Sequence, residues 1–279
     1  MEDKKSTKKI PLKRALLRIT GFILVLALLV AGASFLVFPK SNGPAGGNPE
    51  YQARGFYGEA ENSLDAMFIG NSNIYSGISP MELWNDYGYA TYACGEVAQT
   101  VVESDQLLES ILTCQSPKVI IFETSVLFQL TGMIYTIAET LQKYIPLLRY
   151  HNRWKYLKWN DWTLKYHYKW RNSYKGYYFS AKVDPGVNRD LLPPTDKVAE
   201  ITPIIYTFLE NFVNTCRDNG IKLVLTTIPA VDWNTEKHNA IAAFAEEYEL
   251  DFLDLNAWTE NIGLDWTTDS RDKGMHLNY

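Results

Sequence analysis

Phe68-Ile69-Gly70-Asn71-Ser72 ends an apolar run in a Gly-x-Ser turn, and near the other end of the chain Asp272 stands four residues before His276. A serine on a strand-to-helix turn, an imidazole and a carboxylate are the parts of a nucleophile–base–orienter device. The hydroxyl is a weak nucleophile until a base takes its proton, and the base works only when a third group fixes its ring. A serine opening a helix also has backbone N–H groups nearby that could hold a developing oxyanion. Plainer alternatives stand beside this one: Ser72 could merely cap a helix, and His276 could be a surface histidine. Asp269 rivals Asp272 for the orienting position. No metal or cofactor is expected, because serine acyl transfer needs none. Cys94, Cys114 and Cys216 lack ligand spacing and read as buried thiols. His151, His167 and His238 have no partner at metal spacing and read as packing or surface residues.

The elements that must bring these groups together are legible as alternating patterns. Apolar runs at Ala66–Ile69, Ala90–Cys94, Val119–Phe122, Leu223–Ile228 and Asp251–Leu255 predict five strands. Val119-Ile120-Ile121-Phe122 does not alternate, so it should be buried on both faces. A serine cap and proline at Ser79-Pro80 start one helix; others are expected over 98–114, 198–219 and 235–249, with Asn219-Gly220 as a stop. Strands alternating with helices predict an α/β fold, a three-layer α/β/α sandwich on a mostly parallel five-stranded sheet of flavodoxin-like type. In such sheets, sites gather at the carboxyl ends of the strands. Ser72, Gly95, Glu123-Thr124-Ser125 and Pro229 all fall just past those ends.

Residues 143–182 interrupt the pattern with alternating aromatic and basic side chains, among them Arg153, Trp154, Lys155, Trp159 and Trp162. The expectation is a helical insertion over the sheet's carboxyl edge. Aromatic faces with cations suit sugars and anionic polymers, which makes Trp154 and Arg153 candidate substrate-binding residues. Alternatively, the aromatics pack on one another as a cap.

Lys4, Lys5, Lys8, Lys9, Lys13, Arg14 and Arg18 precede an uncharged stretch from Ile19 to Pro39, long enough to cross a hydrocarbon core of about 30 Å. The organisation read from this is a basic cytoplasmic tail (1–18), a transmembrane anchor (19–39), a flexible Gly/Pro/Asn-rich linker (40–50) and one α/β domain (51–279). A cleavable signal peptide is the rival, since Ala31-Gly32-Ala33 has the form of a cleavage site. The basic flank places the N-terminus in the cytoplasm and the domain outside. Residues 1–40 carry 8 basic and 2 acidic side chains, which leaves 19 of the 27 basic and 30 of the 32 acidic residues in the remainder. A domain this acidic is not a nucleic-acid binder.

The first block (Phe68 to Ser72), Gly95 and the terminal stretch from Asp272 to His276 with Leu277-Asn278 resemble the blocks of the SGNH/GDSL hydrolase superfamily. Together with Trp233–Asn239 and Asp251–Asn256, they look similar to its membrane-anchored bacterial branch, the proteins of teichoic-acid D-alanylation and polysaccharide O-acetylation. The resemblance implies Ser72 as nucleophile, His276 as general base, Asp272 as orienting acid, and the N–H groups of Ser72 and Gly95 in the oxyanion hole. Three departures accompany it. Asn71 replaces the usual Asp of Gly-Asp-Ser. Glu123-Thr124-Ser125 replaces a Gly-x-Asn-Asp run, so that Asn73 or Ser125 would have to supply the third donor. The acid stands four rather than three residues before the histidine, and a closing helix would normally follow. The implied function is an extracytoplasmic serine esterase or O-acyltransferase acting on a cell-envelope glycan or polymer. Its partners would be membrane lipid, the acylated polymer and a membrane protein. The alternative is a catalytically weak tethered scaffold that binds polymers through the aromatic insertion.

Overall fold

The computed structural model describes residues 11–129 and 132–279; the basic residues Lys4 to Lys9 lie outside that range. Five strands form one sheet: β1 (Ala66–Gly70), β2 (Thr91–Gly95), β3 (Val119–Glu123), β4 (Lys222–Thr227) and β5 (Asp251–Asp254). All neighbours pair in parallel, in the order β2-β1-β3-β4-β5. This is the doubly wound α/β arrangement, with its chain reversal between β1 and β3.

Side-chain alternation divides the sheet's two faces. Met67, Ile69, Tyr92, Cys94, Ile120, Phe122, Leu223 and Leu225 enter the main core. There they meet α4 (Val101–Leu112), α7 (Pro203–Asp218) and α8 (Thr235–Glu247); Phe122 and Phe212 lie with ring centres 4.6 Å apart. Phe68 and Ala93 face the opposite way, into a smaller cluster with Ile74 and Ile228. On that side lie α2 (Ser72–Gly77) and α3 (Pro80–Tyr87). The helix starts follow local chemistry. Thr100 and Glu103 form a reciprocal capping box on α4. Ser79 caps α3 and Pro80 occupies its first turn. Pro203 opens α7, five residues after the predicted start.

The apolar N-terminal segment forms α1 (Leu12–Val37), 26 residues long, which is apolar and long enough to cross a membrane. It begins earlier than the predicted 19–39 span and takes in Lys13, Arg14 and Arg18.

Two expectations are corrected. Residues 40–50 form a packed loop rather than a flexible linker, with Lys40, Asn42, Asn48 and Glu50 all buried. Asn42 Nδ2 donates to the Trp170 carbonyl at 2.8 Å, and its Oδ1 accepts from the Trp170 N–H at 3.1 Å. Turn-forming residues suit a compact loop as well as a loose one once buried partners exist. The insertion is largely irregular. After α5 (Met133–Tyr144) and α6 (Pro146–Tyr150) come 3-10 turns at His151–Tyr156 and Trp159–Trp162. Residues 153–170 wrap the loop and the end of α1, while Arg149 and the stretch after 172 approach the sheet's carboxyl edge, Arg149 at Glu96 and Tyr178 N donating to Tyr75 O at 2.7 Å. The insertion's rings pack partly on one another, as Tyr166 on Tyr168 at 5.4 Å and Tyr174 on Phe179 at 6.3 Å, and partly on bodies outside it. Tyr168 stacks on Tyr57 at 4.3 Å, and Tyr150 meets Phe38 edge-on at 5.7 Å.

A buried charge cluster fastens this arrangement. Glu50 is ion-paired with both Arg54 and Arg149, and the Tyr150 hydroxyl donates to it at 2.9 Å. Arg149 also reaches Glu103 at 2.6 Å and Glu96 at 3.7 Å. The loop, β2, α4 and α6 thus meet at one guanidinium.

Candidate active site

β1 ends at Gly70, where a Cβ would stand 2.5 Å from Glu123 Cβ and 2.7 Å from Ile74 Cγ1. Only glycine allows β1 to pass its neighbour here. Asn71 then turns the chain; its side chain caps α2 by accepting from the Asn73 N–H at 2.9 Å. Ser72 is the first residue of α2 and is half-buried.

The terminal segment returns to this turn as a short hairpin, bridged between Ser270 and Leu277. Inside it, Lys273 and Gly274 both have positive φ, 63° and 94°. A Cβ on Gly274 would stand 2.3 Å from Val231 Cγ1. The tight turn absorbs the extra residue between acid and histidine. Asp272 Oδ1 accepts the His276 backbone N–H at 2.7 Å, and Oδ2 lies 2.5 Å from His276 Nδ1. His276 Nε2 stands 2.7 Å from Ser72 Oγ. With the ring proton on Nδ1, Asp272 accepts it and Nε2 is free to accept the serine proton. Beyond His276, Tyr279 N donates to Ser180 O at 2.8 Å, and Asn278 Nδ2 to Thr268 O at 2.7 Å. Asp269 lies elsewhere. Its carboxylate accepts from Asp265 N and Thr268 Oγ1, both at 2.8 Å.

Beneath the serine lies a polar network in which neither Asn71 nor Glu123 has a role in the sequence reading. Glu123 is fully buried at the end of β3. Ser125 Oγ donates to Glu123 Oε2 at 2.7 Å, and Ser125 N donates to Oε1 at 3.2 Å. Asn71 Nδ2 in turn donates to Ser125 Oγ at 2.7 Å, while Asn73 Nδ2 makes a long contact of 3.5 Å with the same oxygen. Burial pushes the Glu123 carboxyl up to about 7, against the pull of the Ser125 hydrogen bonds. The side chains at 71 and 123 are therefore physically coupled through Ser125. An amide at 71 supplies a donor to a site that already holds an acid, where an aspartate would bring a second acceptor. The available signal was a glutamate closing a strand that is otherwise apolar on both faces.

The oxyanion candidates fare unequally. Ser72 N–H lies in the first turn of α2, where helix hydrogen bonding does not require it. Gly95 sits under the turn, and a Cβ there would come within 2.7 Å of the Asn71 carbonyl oxygen. Asn73 has its backbone N–H committed to Asn71, so only its carboxamide retains donor capacity.

Arg153 and Trp154 are not brought to the triad. Arg153 is 4% exposed and donates to Gly46 O at 2.7 Å, Val37 O at 2.5 Å and Asp161 Oδ1 at 3.0 Å, so its guanidinium is committed to the loop and the end of α1. This corrects its assignment as a substrate ligand: a buried cation must be paired, and its partners are internal. Trp154 is exposed on the same 3-10 turn. The cation that does stand beside the triad is Arg271. Its guanidinium lies 4.8 Å from the Tyr178 ring centre, 5.8 Å from that of Tyr75 and 3.9 Å from Asp272 Oδ2. Its Nη1 is buried without a hydrogen-bond partner among the described residues. Burial raises the Tyr75 phenol, opposed by the Arg271 charge and by hydrogen bonding to Ser72. His238 pairs with Asp254 at 2.7 Å. Among the described residues, no three His, Cys, Asp or Glu side chains gather as metal ligands.

No family model matches the chain. No curated protein matches it either. Solved structures similar to it include an acylhydrolase from Bacteroides fragilis, at 13% identity and a TM-score of 0.40 over 85% of this chain and 89% of that one. A GDSL-like lipase from Bacteroides thetaiotaomicron is 11% identical, with a TM-score of 0.36 over 76% and 79% of the two chains. An acetyl xylan esterase, AlAXEase, is 14% identical, with a TM-score of 0.39 over 76% and 91%.

Proposed function

We propose that the chain is a membrane-tethered serine esterase or O-acyltransferase of SGNH type, working through an acyl-Ser72 intermediate. The observation that carries this reading is the unbroken chain Ser72 Oγ, His276 Nε2, His276 Nδ1, Asp272 Oδ2, with separations of 2.7 and 2.5 Å. Ser72 Oγ attacks the ester carbonyl carbon while its proton passes to Nε2. Asp272 keeps the ring oriented and stabilises the imidazolium. The oxyanion is met by the N–H groups of Ser72 and Gly95, with the Asn73 carboxamide as a further donor. Collapse expels the alcohol, which takes the proton from Nε2, and leaves the acyl group on Ser72. Water or a sugar hydroxyl then gives its proton to Nε2 and attacks the acyl carbon; the bond to Ser72 Oγ breaks, Oγ takes the proton back from Nε2, and the acceptor alone separates hydrolase from transferase.

Under this proposal α1 spans the membrane, the basic N-terminus stays in the cytoplasm, and the domain faces outward. The substrate is then an acylated envelope glycan or polymer, with a membrane protein as a further partner; the domain's acidity disfavours nucleic acid. Arg271 suits an anionic group near the ester. The test is labelling of the full-length protein by a fluorophosphonate together with hydrolysis of p-nitrophenyl acetate. Both should vanish in Ser72→Ala, and Asp272→Asn should lower turnover by about 10⁴-fold while the fold persists. Labelling that survives Ser72→Ala would overturn the assignment.

A further inference from the structure

α5 is turned inside out. Its exposed side carries Ile134, Ile137, Leu141 and Tyr144 at the spacing of one helical face, with Ile134 86% and Tyr144 72% exposed. The side turned to the protein is polar. Thr136 and Glu139 are buried, Glu139 accepts from Thr100 Oγ1 at 2.8 Å, and Lys143 pairs with Asp105 at 3.1 Å and Glu109 at 2.9 Å. A helix at a water-facing surface places these faces the other way round. Nothing among the described residues covers the apolar face.

The position of α5 identifies what does. It leads through Ile145 directly into α6, which is bound to the end of α1: Leu147 N donates to Ser34 Oγ at 3.2 Å, and Tyr150 meets Phe38. Lys40, at the same level, donates to the carbonyls of Phe35 and Asp161, both at 2.7 Å. The apolar surface of α1 ends here, at Phe38-Pro39. Around this exit stand Trp154, Trp159 and Trp162, all exposed, with Lys155 and Lys158 between them and Lys165 just beyond. Tryptophan with lysine is the composition of the membrane–water boundary, where the ring straddles the interface and the ammonium meets anionic headgroups.

We propose that α5 is a second, in-plane membrane anchor. Its Ile134–Ile137–Leu141–Tyr144 face enters the leaflet in which α1 ends, and the Trp/Lys turns of 151–165 rest on the headgroups. The inference rests on α1 spanning the bilayer. It gives the aromatic–basic insertion a lipid partner rather than a glycan. It also fixes how the domain lies, since α5 is bonded to the cap of α4, five residues beyond Gly95 on the edge of the sheet that carries Ser72.

The test uses the full-length chain in liposomes of phosphatidylethanolamine and phosphatidylglycerol, in a Cys114→Ser background. Nitroxides are placed through Ile137→Cys and Leu141→Cys, with Phe22→Cys on α1 and Glu246→Cys on α8 as references. All four positions are exposed on the protein, so folding is preserved. Power saturation compares access of oxygen with that of a water-soluble nickel chelate. The 137 and 141 labels should show an oxygen-to-nickel ratio several-fold above that at 246 and below that at 22. If 137 and 141 respond like 246 while 22 is deep, the anchor is refuted and the spanning helix stands. If 22 also responds like 246, the spanning reading fails and takes the inference with it. Labels at 137 and 141 shielded from both reagents would mean that protein, a partner or a second copy, covers the face, which also refutes lipid contact.

Discussion

Asn71→Asp tests the logic of the network under Ser72. In the native site, Asn71 Nδ2 donates to Ser125 Oγ at 2.7 Å, and the one proton of that hydroxyl goes to Glu123 Oε2 at 2.7 Å. An ionised aspartate offers only acceptors. Ser125 Oγ could then donate to one carboxylate only; the other keeps just its backbone donor, Ser125 N–H for Glu123 or Asn73 N–H for position 71, in a site where Asn71 is 2% and Glu123 0% exposed. Leaving a buried partner unsatisfied costs about 1–3 kcal/mol, and breaking a buried charged arrangement about 3–5 kcal/mol. The variant should therefore lose about 3 kcal/mol of unfolding free energy at about pH 8. It should lose less at about pH 5, where one carboxyl takes up a proton and becomes a donor. Adding Glu123→Gln should restore most of the loss, because amide and acid have exchanged sides. The assay is urea unfolding of the full-length chain in mild detergent, followed by tryptophan fluorescence, for both single variants and the pair. A coupling of about 1.5 kcal/mol or more in favour of the double variant is expected. Strict additivity, or equal losses at the two pH values, would refute the argument.

Glu123→Gln alone should change the pH dependence of stability. The folded-state value of Glu123 is raised from 4.5 to about 7, so its contribution is full below about 4.5 and is lost as pH rises through about 7. At about 1.4 kcal/mol per tenfold, wild type should lose about 3 kcal/mol over that window relative to the glutamine variant; parallel unfolding curves across the window would contradict it. Gly274→Ala should move the Asp272–His276 turn, given its φ of 94° and the 2.3 Å approach to Val231, and cut ester turnover at least about tenfold while Ser72→Ala stays the floor. Arg149→Ala leaves Glu50 to Arg54 alone, removes the cation facing Glu96 and Glu103, and should destabilise by about 3–5 kcal/mol in the same urea assay; a loss below about 1 kcal/mol would show the cluster to be solvated.

The strands, their parallel pairing and the position of Ser72 past β1 were legible because each depends on local pattern: an unbroken apolar run, a turn glycine, a cap. The same holds for the apolar length of α1, and for His276 together with an acid on one short segment. Asp272 over Asp269 was not legible, because the choice turns on two positive-φ residues that let a four-residue spacing close on the ring. The fate of the insertion was not legible either. Its composition suited a glycan platform, yet Arg153 is consumed by Gly46, Val37 and Asp161, contacts across more than a hundred residues in two of the three cases. Nor does periodicity alone tell which face of α5 is outward; Thr100, Asp105 and Glu109 on α4 decide it by drawing Glu139 and Lys143 inward. Sequence by itself determined which segments become strands and capped helices, since backbone geometry and burial pattern are short-range properties. Tertiary structure decided which charges are spent internally and which remain for chemistry, since pairing in a low-dielectric interior depends on neighbours the chain order does not reveal.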